Sequence, residues 1–223
     1  MSPVRFPNES PDYRRARDEL LRAEIELSRQ TEKVAALRRQ MPVGGEVPED
    51  YRFADEGGEV RLSELFGGRS TLILYSFMYG PDMEQPCPMC TSFLDALDGQ
   101  AHHLTQTVAL AVTARSPIER IRAFARTRPW NRLRLLSCAQ STYQCDYHGE
   151  KADGAQMPML NVFVRRDGRT HHFWSSEMLY APEEPGQDSR HIDILWPLWN
   201  VLDLTPEGRG ADWYPKVAYP GGR

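Results

Sequence analysis

Two neighbouring features limit what this chain can fold into more than any other: the run Thr71–Met78 (TLILYSFM) and the motif Cys87-Pro88-Met89-Cys90 that follows it. The first is nearly continuous in apolar residues and rich in β-formers, the pattern of a central strand buried on both faces. The second sets two thiols three residues apart, with a proline suited to the first turn of a helix. From Cys90 to Leu104 apolar residues fall at Phe93, Leu94, Ala96, Leu97 and Leu104, which predicts an amphipathic helix. The dithiol therefore belongs where a buried strand and its loop give way to a helix.

The order of elements continues in the same style. Thr107–Thr113 (TVALAVT) reads as a second buried strand. Ser116-Pro117 opens a further helix, and Glu119, three residues after Ser116, completes a capping box. Leu133–Cys138 is a short strand. Asn161–Val164, the turn Arg165-Arg166-Asp167-Gly168 and Thr170–Trp174 read as a hairpin. Parallel strands need crossover helices, whereas a final antiparallel pair needs only a tight turn. Strand, helix, strand, helix, hairpin is the order of the thioredoxin fold: α/β, with a central mixed sheet flanked by helices.

Three regions follow from this. Residues 1–42 form an N-terminal extension, 43–174 the thioredoxin-like domain and 175–223 a C-terminal extension packed on that domain. The first is one long helix to about Pro42, with Ser10 as N-cap and Pro11 at the first helical position. Tyr13, Leu20, Leu27, Val34 and Met41 recur at heptad spacing, with Ala16, Ala23 and Leu37 between them and Gln30 breaking that second set. Such a stripe is either a coiled-coil seam, making a homodimer through the helix, or a face laid on the chain's own domain. Pro42–Gly58 reads as a loop. Gly44-Gly45 and Gly57-Gly58 lack the spacing of a phosphate cradle, and Gly67-Gly68 marks a helix end or turn. In the C-terminal extension Pro182–Gly186 is a loop. His191–Leu204 is a helix whose tryptophans are core anchors.

The chemistry follows from the place of the motif. A cysteine near a helix N-cap meets unpaired backbone N–H groups and the positive end of the helix dipole, both of which favour its thiolate. Such surroundings lower a cysteine pKa from about 8.5 into the range of roughly 3.5–7.5. Cys87 is therefore the candidate nucleophile. Cys90, one turn further in, is placed to resolve a mixed disulfide. Met157-Pro158 immediately precedes the strand Asn161–Val164. By analogy with thioredoxin folds it is expected to hold a cis-proline beside the dithiol, where the preceding backbone binds substrate.

The other candidate ligands carry less. Cys138, Cys145 and His148 stand in C-x6-C-x2-H spacing. Structural zinc favours two close pairs, which the six-residue gap does not give. Cys138 reads as a core thiol, and Cys145 as a bystander or the partner of Cys138 in a second disulfide. His102-His103 lies at a helix end, His171-His172 alternates across a strand, and His191 stands near a helix start. Asp82 and Glu84 read as solvated loop residues. No metal or cofactor is expected.

Composition excludes several classes. The chain of 223 residues carries a formal net charge of -4 with its charges interspersed, so no nucleic-acid footprint is suggested. MSPVRFPNES contains no apolar run of the kind a secretory signal needs, and the longest apolar stretch falls far short of a membrane span. Both point to the cytoplasm, where a C-x-x-C is redox or metal chemistry rather than a disulfide framework.

The residues also resemble a known family. YRFADEGGEVRLSELFGGRSTLILYSFMYGPDMEQPCPMC is the most specific stretch; LRRQMP at the end of the first helix, NVFVRRDGRTHHFW and LDLTPEGRG are similar to family segments too. The family is DUF899, thioredoxin-like proteins regarded as dithiol–disulfide oxidoreductases, and its dithiol maps onto Cys87 and Cys90. The resemblance implies thiol–disulfide exchange on a protein or small-molecule disulfide. A thioredoxin-fold scaffold without redox turnover is the alternative. A peroxide reductase of this fold would carry Thr or Ser three residues before its reactive cysteine, where this chain has Glu84.

Overall fold

The computed structural model describes residues 4–182, 185, 194–210 and 212–220. The chain divides into two compact units, Met1–Pro42 and Val43–Arg223. The first is α1 (Pro11–Gln40), capped as its sequence predicts: Ser10 Oγ accepts from the Tyr13 backbone N–H at 3.1 Å.

The second unit is built on one seven-stranded sheet of order β2-β1-β5-β4-β3-β6-β7. Its centre is β3 (Thr71–Ser76), parallel to β4 (Ala109–Ala114), which is in turn parallel to β5 (Leu135–Ser137). On the other side β3 runs antiparallel to β6 (Leu160–Arg166), and β6 to β7 (Arg169–Ser175). Between the parallel strands lie the crossover helices α3 (Pro88–Leu104) and α4 (Ile118–Ala125). The β6–β7 turn is Asp167-Gly168, with φ of 50° and 78°. Two successive positive φ angles match the right-handed twist of the strands, and glycine takes the second without strain. This is the mixed sheet with flanking helices of a thioredoxin-like fold.

Side chains of β3 alternate between two cores, as the period of a strand requires. Leu72 and Leu74 join Tyr51, Phe53, Leu62, Phe66, Tyr143 and Phe163 on one face. Tyr75 joins Phe93, Leu94, Val112, Ile121, Trp196 and Trp199 on the other, together with Cys90. The dithiol helix is also pinned by polar contacts. Buried Asp98 accepts from the Arg132 and Leu133 backbone N–H groups at 2.8 and 3.1 Å, and Asp95 accepts from Trp130 Nε1 at 2.8 Å.

Several sequence expectations change. The segment 42–58 is not wholly loop. It contains β1 (Arg52–Asp55), which pairs antiparallel with β2 (Gly58–Arg61), followed by the single-turn helix α2 (Leu62–Leu65). Only Phe53 and Val60 of this hairpin are buried, too few to make a period visible among charged residues. Ser116 does not cap α4: its hydroxyl donates to the Gly80 carbonyl at 3.0 Å, and the helix begins beyond Pro117. The C-terminal helix is α5 (Pro197–Leu202), shorter than His191–Leu204. Pro197 at its first position disfavours a helical conformation for the residue before it, and Trp196 is extended, with φ of -80° and ψ of 104°. His191, and most of the loop Pro182–Gly186, lie outside the described residues.

Candidate active site

The two cysteines of the motif lie where a helix N-terminus separates them chemically. Cys87 is the N-cap of α3 and Pro88 its first helical residue. The Cys87 backbone N–H donates to the Met78 carbonyl at 3.0 Å, closing the loop that leaves β3. Thr91 fixes the first turn, donating to the Cys87 carbonyl from both its N–H and its hydroxyl at 3.0 Å. Cys87 is half-buried, whereas Cys90 is 0% exposed.

The electrostatics follow. The Cys87 thiol is pulled down from 9.0 to about 6, first by the hydrogen bond from Cys90. The Cys90 and Met89 backbone N–H groups and the Tyr214 hydroxyl add to this, against the cost of partial burial. Cys90 is pushed well above the ordinary thiol value, chiefly by burial and then by Cys87. One thiol is therefore poised to ionise near neutrality and its neighbour to keep its proton and donate it.

The loop between β3 and α3 is held by Arg120 of α4. Its guanidinium donates to the carbonyls of Pro81 at 2.7 Å, Gly80 at 3.3 Å and Glu84 at 3.3 Å, and also to that of Met83. It lies 4.6 Å from the centroid of the Tyr79 ring. Ser116 adds its N–H to the Tyr79 carbonyl at 2.9 Å, besides its hydroxyl to Gly80. Asp82 and Glu84 are exposed on this loop.

The C-terminal extension completes the surroundings, which the sequence reading did not foresee. Trp196 donates through Nε1 to the Met89 carbonyl, inside the motif, at 2.8 Å. Its ring lies 4.9 Å from that of Phe93 and 6.4 Å from that of Tyr75. Arg128 ties down the C-terminal extension by donating to the Val217 carbonyl at 2.9 Å. The only sequence signal for these residues was the aromatic density after residue 195.

Met157 and Pro158 stand at the entry to β6. No peptide bond is cis among the described residues, so the Met157–Pro158 bond is trans, against expectation. Trans is the cheaper isomer. The corner it makes is stabilised locally: the Met157 N–H donates to Gly149 at 2.9 Å, and its carbonyl accepts from Met159 at 3.1 Å. The segment packs against the loop before the motif, where a Cβ on Gly80 would come within 3.1 Å of Gln156 Cγ.

The remaining cysteines are free and far apart in character. Cys138 is buried, hydrogen-bonded to the Ala114 carbonyl at 3.3 Å and raised to about 11 by burial. Cys145 is exposed, 3.8 Å from Glu150 Oε2, and raised by partial burial and that carboxylate. They form no second disulfide: Cys138 is buried in the core and Cys145 is exposed. His102 and His103 pack edge to face at the end of α3. His171 faces the Gly44 carbonyl and His172 faces Asn161 Oδ1, on opposite sides of β7. His172 is lowered by burial and borders a cavity of about 870 Å³ with Tyr147, Met159 and Asn161, a cavity that neither Cys87 nor Cys90 lines. Among the described residues no helix is long and apolar enough to cross a membrane.

The family model described as "Bacterial protein of unknown function (DUF899)" matches residues 3–219. No curated protein matches the chain. Among solved structures, the chain is similar to thioredoxin peroxidase I of Plasmodium yoelii, at 15% identity over 73% of this chain and 91% of that one, with a TM-score of 0.45. It is similar to the reduced 2-Cys peroxiredoxin of Plasmodium vivax, at 20% identity over 69% and 95%, with a TM-score of 0.44. It is also similar to an exposed lipoprotein thioredoxin of Streptococcus pneumoniae, at 12% identity over 65% and 95%, with a TM-score of 0.42.

Proposed function

The chain belongs to the DUF899 family, and from that premise we propose that it is a thiol–disulfide oxidoreductase with Cys87 as nucleophile and Cys90 as resolving thiol. The observation that carries this reading is the division of labour between the two sulfurs. Cys87 is half-buried at a helix N-cap, with its thiol lowered to about 6; Cys90 is fully buried one turn on and donates to it. The Cys87 thiolate attacks a disulfide R–S–S–R, forming a Cys87–S–S–R bond and releasing one R–S⁻. Cys90 then attacks Cys87 Sγ, the Cys87–R bond breaks, and the second R–S⁻ leaves with the proton that Cys90 surrenders. The substrate is reduced by two electrons and the dithiol becomes a bridge.

The groups that act most strongly on the Cys87 sulfur are Cys90, two backbone N–H groups and a tyrosine hydroxyl, none of them cationic. That favours disulfide exchange over peroxide reduction, in which a departing hydroxide needs a positive neighbour. The substrate is a protein or small-molecule disulfide. Met157 and Pro158 are its proposed docking corner, where the Met157 carbonyl keeps a second lone pair for an incoming N–H.

Differential alkylation near pH 6.5, read by peptide mass spectrometry before and after oxidation, tests the assignment. Cys87 should react first and by a wide margin, and oxidation should link it to Cys90. Four thiols of similar slow reactivity, with no Cys87–Cys90 bridge, would leave the fold a scaffold.

A further inference from the structure

We infer that the cavity beside β6 and β7 is a binding site for a small organic cation, a protonated amine carried on a flat apolar body. This site is separate from the dithiol and does not depend on its chemistry. With a volume of about 870 Å³ it has the size of a ligand pocket, and such pockets join an apolar lining to a few placed polar groups. Its floor is buried and flat. Met159 and Asn161, both in the lining, are each 1% exposed. The rings of Tyr147 and His172, also in the lining, lie 5.6 Å apart at 37°. Asn161 is the informative residue, because an amide buried in a strand needs partners. Its Nδ2 donates to the Tyr143 hydroxyl and to the Tyr147 carbonyl only at 3.4 Å, and its Oδ1 faces His172 Nε2 at 3.2 Å. These bonds are long, and an amide oxygen with one partner keeps a second lone pair for a ligand N–H.

The rim sets the sign of the ligand's charge. Among the described residues, Glu46, Asp146 and Glu177 border the cavity and no lysine or arginine does. Glu46 is paired with Arg169 at 2.9 Å. The other two carboxylates are held by neutral hydroxyls. Asp146 accepts from Tyr51 at 2.8 Å and from Thr142 at 2.6 Å, and Glu177 accepts from Ser175 at 3.3 Å. His172, lowered by burial, brings no positive charge to offset them. Tyr147 and Tyr180 add aromatic rings to the same lining, and an aromatic face attracts a cation. Tyr180 also ties the rim together, donating its hydroxyl to the His148 carbonyl at 2.6 Å, so that wall is formed before a ligand arrives. A phosphate or carboxylate ligand would meet repulsion here and find no cation to receive it.

The test titrates the whole chain, its methionine methyls labelled with ¹³C, with three probes of one shape. 2-Phenylethylamine is cationic, 2-phenylethanol neutral and phenylacetate anionic. The amine should saturate its site with a Kd of about 1 mM or below, at least about tenfold tighter than the alcohol, and phenylacetate should bind more weakly still. Its ring should shift the signals of Met159 and Met178, which line the cavity, and leave Met83 and Met89 unmoved. The double substitution Asp146→Asn with Glu177→Gln keeps an acceptor for each hydroxyl but removes both charges. It should bring the amine to the affinity of the alcohol. Equal binding of the three probes overturns the assignment, and so does an amine affinity that survives the double substitution. Shifts at Met83 or Met89 in place of Met159 and Met178 overturn it as well, as does an amine that shows no saturable binding at about 10 mM, tenfold above the expected value.

Discussion

The indole nitrogen of Trp196 donates to the carbonyl oxygen of Met89 at 2.8 Å, joining the C-terminal extension to the residue between Pro88 and Cys90. The first turn of α3 is thus braced from outside by a residue that is 3% exposed. Trp196→Phe leaves the ring stacked on Phe93 but strands that carbonyl without its indole partner. It should cost about 1–2 kcal/mol of stability. Trp196→Ala also empties the space between Phe93 and Tyr75 and should cost about 3–5 kcal/mol. Urea denaturation of the reduced protein measures both, and equal losses in the two variants would contradict the hydrogen bond's separate contribution.

The lowered Cys87 thiol predicts a pH dependence whose sign is fixed. Its folded value is about 6 against an ordinary 9.0, so the unfolded chain binds more protons at this site between those limits. Stability of the reduced protein therefore rises with pH across that window, and the contribution is lost as pH falls through about 6. The oxidised protein has no thiolate there and lacks this component. His172, lowered by burial, titrates in both forms and cancels in the difference. The check is a set of melting curves from pH 5.5 to 8.5 in both redox states. The gap between reduced and oxidised melting temperatures should shift in favour of the reduced form as pH rises.

Tyr214 contributes one of the hydrogen bonds that hold the Cys87 thiolate. Tyr214→Phe should move the midpoint of Cys87 alkylation to higher pH, by less than the loss of Cys90 would, because Cys90 is the largest contributor. A rate-against-pH profile with iodoacetamide reads it directly. An unmoved midpoint would detach the C-terminal extension from the chemistry.

Arg120 holds four carbonyls of the loop that delivers Cys87. A lysine at this position has the charge but not the planar fork, so Arg120→Lys should not rescue what Arg120→Ala loses. Amide exchange of residues 80–84 should quicken at least about tenfold in both variants, while β3 amides stay protected. Unchanged exchange in the lysine variant would show that charge alone holds the loop.

The sequence disclosed the part of this fold whose signals are local. Thr71–Ser76 is apolar on both faces, Pro88 opens a helix, and Asp167-Gly168 turns a hairpin, each legible within a few residues. The hairpin Arg52–Arg61 was hidden because two buried side chains among charges make no period. Ser116 carried the letters of a capping box, but its hydroxyl is taken by Gly80, 36 residues away. The cis bond expected at Pro158 came from fold analogy, and the local hydrogen bonds of Met157 replace it. At the site itself, Cys87 and Cys90 were evident from spacing. Trp196 and Tyr214 had no pattern to distinguish them, because what defines both is a contact across the fold.

The brace from Trp196 has a temporal side. It spans 107 residues, so it cannot form while the chain is being made until long after the motif has emerged. At synthesis rates of about 5–20 residues per second, that delay is roughly 5–20 s. During it the nascent chain carries both thiols without their aromatic cover, and the dithiol is completed only by a segment translated 107 residues after Met89.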